Sequence, residues 1–156
     1  MWTRLIGSGL LLLCAALWTR GKTAAARAEL ALVAALCELF AYIGEQVGAF
    51  GLPLGEIADG APPDLRRICG LDGTPLAERL TALCAALEDS ESADVLARAA
   101  VRLGRGDRED QVRLCRGTAE ALGSCRDRLA DRLTRDRRAR GTLCLTACLY
   151  VIILLW

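Results

Sequence analysis

The residues of this chain whose types could do chemistry are eight cysteines, two clusters of carboxylates and an arginine-rich run. The cysteines are Cys14, Cys37, Cys69, Cys84, Cys115, Cys125, Cys144 and Cys148. None forms a C-x-x-C pair, and the nearest two, Cys144 and Cys148, sit inside a hydrophobic run. That spacing supports neither a zinc knuckle nor a thioredoxin-like dithiol. The chain has no histidine, which removes the commonest general base and the commonest ligand of catalytic zinc together. An even number of cysteines would suit a disulfide framework in an exported domain. Cys37, Cys84 and Cys115 instead stand beside Leu and Ala at helical spacing, so they read as small buried hydrophobes. No metal, cofactor or catalytic residue is expected.

The carboxylates fall at Glu88, Asp89 and Glu91 and again at Asp107, Glu109 and Asp110. Either cluster could supply a paired acid and base. The first reads better as a charged helix end with its turn. In the second, Asp107 suits an N-cap, and Glu109 and Asp110 fall in a first helical turn where negative charge complements the helix dipole. Gly104 to Asp107, GRGD, lacks the G-x-x-x-x-G-K-[ST] pattern of a phosphate loop and reads as a turn between helices. The run from Arg126 to Arg140 could bind acidic headgroups or an acidic partner. Because Asp127, Asp131 and Asp136 are interleaved with it, it reads first as a solvated helix face and a topology signal. Arg128 and Arg132 on that face are the candidate partner-contact residues.

The elements that must position these residues are helical. A chain of 156 residues holds one domain with a modest core. Apolar residues make up 53% of it but aromatics only 4%, and the abundant Leu, Ala, Arg and Glu all favour helix. A net charge of +1 argues against a nucleic-acid binder that relies on a basic excess.

Two uncharged hydrophobic runs lie toward the ends: LIGSGLLLLCAALWT between Arg4 and Arg20, and GTLCLTACLYVIILLW after Arg140. As helices they cover roughly 22 to 24 Å of a hydrocarbon core about 30 Å thick. Flanking arginines can snorkel, and Trp2, Trp18, Tyr150 and Trp156 suit the interface. The chain therefore divides into an N-terminal transmembrane anchor over 1–20, a helical bundle over 21–140 and a C-terminal anchor over 141–156. Basic residues crowd the interior side of both runs, so the positive-inside rule puts the bundle in the cytoplasm. The alternative is a cleaved signal peptide followed by an exported or tethered, disulfide-stabilised binding domain, since Arg4 precedes an apolar stretch with an Ala-rich continuation at Ala24 to Ala28. LLLC at Leu11 to Cys14 is a poor lipoprotein site, because Leu stands where a small residue should precede the Cys.

Between the anchors, Gly and Pro divide the chain into about five to six helices. Val33, Leu36, Phe40, Ile43, Val47 and Phe50 form one apolar stripe, predicting a long first helix that ends near Gly51 and Pro53. Short helices are expected around Leu54 to Ala58 and, opened by Pro62 and Pro63, through Asp64 to Cys69. Thr74 and Pro75 start a helix with Leu76, Leu80, Leu83 and Leu87 on one face. Ser90 or Ser92 can cap the next, which carries Val95, Leu96, Ala99 and Leu103. Asp107 opens the last, with Cys115, Ala119, Leu122, Leu129 and Leu133 sharing a face and only Gly117, Gly123 and Gly141 weakening its path into the second anchor. The fold class is all-α: a small bundle with hydrophobic anchoring helices at both ends.

The segment LGRGDREDQVRL, Leu103 to Leu114, resembles the Gly-Asp-Arg-Glu-x-Gln signature of stage III sporulation protein AB. Gly104, Gly106, Asp107, Arg108, Glu109, Asp110 and Gln111 carry the likeness. The wider layout is similar too: a hydrophobic N-terminal helix, Pro-containing turns after the first long helix, a PLAERL-type segment and a hydrophobic tail. That family resembles in turn the helical cytoplasmic domain of protein F, the type II secretion platform protein. The resemblance implies a non-enzymatic scaffold of the channel complex between mother cell and forespore, in the mother-cell membrane around the forespore with its central domain cytoplasmic. Its implied partners are other stage III sporulation channel components, including a cytoplasmic ATPase and membrane or ring subunits, together with membrane lipid but no nucleic acid.

Overall fold

A computed structural model describes the backbone of residues 2–71 and 73–155, and side chains over 24–71, 73–136 and at seven further positions from 138 to 150. Among these residues there are six α-helices and no strand. They are α1 (Trp2–Phe50), α2 (Leu54–Asp59), α3 (Pro63–Cys69), α4 (Leu76–Ala86), α5 (Ser90–Arg102) and α6 (Arg108–Leu155). The chain divides into two compact units, residues 29–127 and residues 1–28 with 128–156. The hydrophobic run before Arg20 and most of the run after Arg140 lie outside the residues whose side chains are described.

Several helix boundaries in the 29–127 unit have a local cause. The first helix stops at Gly51, whose φ of 63° is left-handed backbone that glycine adopts without a Cβ penalty. Pro63 opens α3 at its first helical position, where the missing N–H would have had no partner. At the start of α4, Pro75 occupies the N-cap itself, so the helix begins at Leu76 with no side-chain cap. The cap of α5 is Asp89, not either serine. Its Oδ2 accepts both the backbone N–H of Ser92, at 3.0 Å, and the Ser92 hydroxyl, at 2.8 Å. A carboxylate also complements the dipole at that end, which a hydroxyl does not.

The core is built from the expected stripes. Val33, Leu36, Phe40 and Ile43 of α1 are fully buried, with Leu39 beside them. Leu76, Leu80, Leu83 and Leu87 face inward from α4 and its C-cap, Leu96 and Ala99 from α5, and Cys115, Leu122 and Cys125 from α6. Phe50 departs from its stripe and is 70% exposed, because the chain turns away at Gly51 before another element can cover it.

Within this unit α1 and α6 run antiparallel. Cys37 Sγ donates to the Ala119 carbonyl at 3.2 Å, and further along α1 Gly44 meets Cys115 and Gly48 meets Val112. A Cβ on Gly44 would stand 3.2 Å from the Cβ of Cys115, tighter than ordinary contact. Helix α4 packs on α5 and touches α2. Polar contacts stitch the remainder: Tyr42 donates to the Gly60 carbonyl at 3.0 Å, and Arg79 Nε to the Cys69 carbonyl at 2.6 Å. Glu29 Oε1 accepts the N–H groups of Glu88 and Asp89, at 2.9 and 2.7 Å, and so pins the α4–α5 turn to α1.

Among the described residues, Ala24–Phe50 is the stretch long and apolar enough to cross a membrane by length and composition, with a mean hydropathy of 1.6. The central helix of a soluble bundle meets the same criterion. Here the large apolar side chains from Val33 to Val47 are spent on the core of the 29–127 unit.

Truncation of a fully buried α1 side chain should be costly. Leu36→Ala is expected to lower stability by about 2–5 kcal/mol, and Gly44→Val by about 1–3 kcal/mol through overpacking against Cys115. Urea midpoints of the purified full chain measure both.

Candidate functional site

The stretch that carries the sequence signature folds as the turn between α5 and α6, and each of its constrained residues has a backbone task. Gly104 and Gly106 have φ values of 78° and 104°, a region closed to most side chains. A Cβ on Gly104 would also press on Leu54 Cδ1 at 3.2 Å, so the turn seats directly on α2. Asp107 caps α6: its Oδ1 accepts the Asp110 N–H at 2.9 Å, and its carbonyl accepts the Gln111 N–H at 3.0 Å. Glu109 and Asp110 follow in the first turn of α6, both exposed, and Asp110 approaches Arg113 at 3.6 Å.

Gln111 is the interior member. It is only 8% exposed, and its amide spans the turn above it. Oε1 accepts the Gly104 N–H at 2.9 Å, while Nε2 donates to the Arg102 carbonyl at 3.4 Å and to the carbonyl of Arg105. A turn with two glycines leaves several backbone groups without helical partners, and one primary amide supplies both the acceptor and the donors they need. Arg108 works in the opposite direction. Its Nε donates to the Val47 carbonyl at 3.0 Å, which also accepts the Gly51 N–H at 3.1 Å, and its terminal nitrogen donates to the carbonyl of Gly48, so both contacts fall in the last turn of α1. A cation there also faces the negative end of the α1 dipole.

The other candidates fall elsewhere. Arg128 and Arg132 are exposed, four residues apart on α6, and belong to the unit of residues 1–28 and 128–156. Of the first carboxylate cluster, Asp89 is committed to its cap and Glu88 and Glu91 are exposed. No group of three or more Cys, Asp or Glu residues is placed to hold a metal ion among the described residues.

None of the five described cysteines, Cys37, Cys69, Cys84, Cys115 and Cys125, is in a disulfide. Cys69, Cys115 and Cys125 are buried, whereas Cys37 and Cys84 are half-buried. Burial pushes the thiols of Cys69 and Cys115 up to about 11, since the interior disfavours a thiolate. Arg79 pulls Cys69 slightly the other way. Such thiols are poor nucleophiles.

The tasks of Arg108 and Gln111 are not visible in a motif read as a charged first turn. For Gln111 a signal exists: it precedes Cys115 by four residues and Leu122 by eleven, which places an amide on the apolar face. For Arg108 there is none, because its partners lie 61 and 60 residues back in the chain. No family model, curated protein or solved structure matches this chain.

Losing the buried Gln111 amide should remove the side-chain partners of the Gly104 N–H and the Arg105 carbonyl. Gln111→Ala is expected to cost about 1–3 kcal/mol, and Asp107→Ala about 1 kcal/mol, both read from chemical denaturation. The thiols set a pH dependence. Because the folded pKa of Cys69 and Cys115 lies above the ordinary 9.0, the unfolded chain loses these protons first. Their contribution is therefore complete below pH 9 and is lost as pH rises toward 11. Stability measured at pH 8 and pH 10.5 should fall, and fall less in Cys69→Ala with Cys115→Ala.

Proposed function

We propose that this protein is a non-enzymatic scaffold in the channel complex that joins mother cell and forespore during endospore formation. The observation that carries the reading is the resemblance of Leu103 to Leu114 to the stage III sporulation protein AB signature, together with the use of its residues. Gly104, Gly106, Asp107 and Gln111 shape one turn, which Gly104 seats on α2 and Arg108 ties to α1. A signature spent on architecture suits a protein whose output is a shape presented to partners.

The bundle faces the cytoplasm of the mother cell and is anchored through the hydrophobic runs within 1–20 and 141–156. Two observations support this arrangement. Leu143 and Tyr150, large side chains of the C-terminal run, are each 67% exposed, as they would be if lipid covered them. None of the five described cysteines is in a disulfide, which suits a reducing compartment better than an exported, disulfide-bonded domain. The scaffold positions a cytoplasmic ATPase against membrane or ring subunits, with the Arg128 and Arg132 face of α6 as one contact. Nucleic acid is not among its partners.

Co-purification of the membrane complex from sporulating cells tests the assignment. Arg128→Glu with Arg132→Glu is expected to reduce partner recovery severalfold at low salt, where attraction is least screened, and less at high salt. Undiminished recovery rejects that face. A reporter fused near residue 60 should be active in the cytoplasm, and an N-terminus downstream of Ala16 in the mature protein would replace the first anchor by a cleaved signal.

A further inference from the structure

The 29–127 unit carries two surfaces that its own chain leaves open, and they are complementary. The first is a groove of about 390 Å³ between α5 and α6. Arg98 and Arg102 of α5 and Arg113 of α6 line it, against a single acid, Asp110, which already approaches Arg113 at 3.6 Å. Arg98 and Arg102 make no ion pair with a described residue. The groove is cationic, and Val95 and Leu114 give it apolar ground.

Gly117 also lines this groove, in the interior of α6. Glycine is the least favourable helix residue apart from proline. Gly44 and Gly48 of α1 and Gly123 of α6 have neighbours within 4 Å of an added Cβ, whereas at Gly117 a Cβ would meet nothing. The chain therefore has room for a side chain there and bears the instability of glycine with no internal steric reason. A backbone arriving from outside would supply one.

The second surface is the outward stripe of α1. Ala31, Ala34, Glu38, Ala41 and Glu45 recur at alternating three- and four-residue steps, all exposed except half-buried Ala34. The stripe holds only small residues and glutamates. Glu38 and Glu45 are seven residues apart, about 10 Å along the axis, and neither forms an ion pair with a described residue. Arg116 and Glu120 of α6 line a separate cleft beside Glu45, and Arg126, itself paired with Asp127 at 2.8 Å, acts on Glu38 from longer range.

We propose that a second copy of this chain docks the small, acidic stripe of its α1 into the arginine-lined α5–α6 groove. Glu38 and Glu45 of the second copy meet Arg98 and Arg102, and the incoming helix crosses over Gly117. A helix lying in a groove between two others is ordinary ridge-into-groove packing, and a stripe without large side chains brings the backbones close enough to make a glycine necessary. The two surfaces are different, so the contact is head-to-tail and builds a row or a closed ring. The proposal requires neither the sporulation assignment nor the Arg128 and Arg132 face.

Sedimentation velocity of the full chain at low salt, in detergent and again in nanodiscs, tests it. The wild type is expected to associate with rising concentration. Arg98→Glu with Arg102→Glu, or Glu38→Arg with Glu45→Arg, should weaken association at least about tenfold, as charge reversal across close pairs does. The chain with all four changes should recover association to within about threefold, because the pairs are restored with opposite sign. Gly117→Ala should raise Tm by about 3 °C through helix propensity, whereas Gly117→Leu should block association while the fold is retained. A wild type monomeric throughout, association indifferent to either reversal, or failure of the fourfold exchange to restore it overturns the proposal. So does an arginine variant that loses only binding to anionic phospholipid vesicles, which would make the groove a lipid site.

Discussion

Helices can approach closely only where side chains permit, and in the 29–127 unit that permission sits at Gly44. Its missing side chain lets α1 lie against Cys115 of α6, and the rest of the unit's geometry follows from that contact. Toward one end, Cys37 comes within reach of the Ala119 carbonyl. Toward the other, the last carbonyls of α1 come within reach of Arg108. The α5–α6 turn is thus located by the helix pair, and α2 is trapped beneath Gly104.

The polar side-chain contacts at the turns of this unit share one character: they end helices. Asp89 and Asp107 satisfy starts, Arg79 and Arg108 satisfy ends, and Gln111 and Glu29 satisfy the turns between. These polar side chains thereby specify how the helices connect.

Much of the fold was legible because helical periodicity is a local property. The stripes of α4, α5 and the first part of α6 needed only residues three and four apart, and Pro63 and Gly51 marked boundaries through their own backbone restrictions. What was not legible depended on distance or on competition. Phe50 continues its stripe in sequence but has no neighbour in space. Asp89 outcompetes Ser90 and Ser92 as a cap because a carboxylate can accept from the backbone and the serine hydroxyl together. Within the candidate site, the Asp107 cap is a local event that sequence spacing describes, whereas Arg108 answers to carbonyls far back in the chain. Ser92, Gln111 and Thr118 are buried polar residues that a hydrophobic pattern passes over.

The pairing of the first helix with the last has a consequence during synthesis. The buried α1 stripe is complete once Val47 is made, yet Arg108, which closes over it, comes 61 residues later. At ordinary translation rates of about 5–20 residues per second the delay is roughly 3–12 s. Through that interval the most apolar helix of the unit is displayed to the cell with only short local helices, and then the α4–α5 pair, to shelter it. A nascent chain in that condition invites capture by chaperones or by the membrane surface, and the order in which its helices emerge becomes a determinant of where the bundle is assembled.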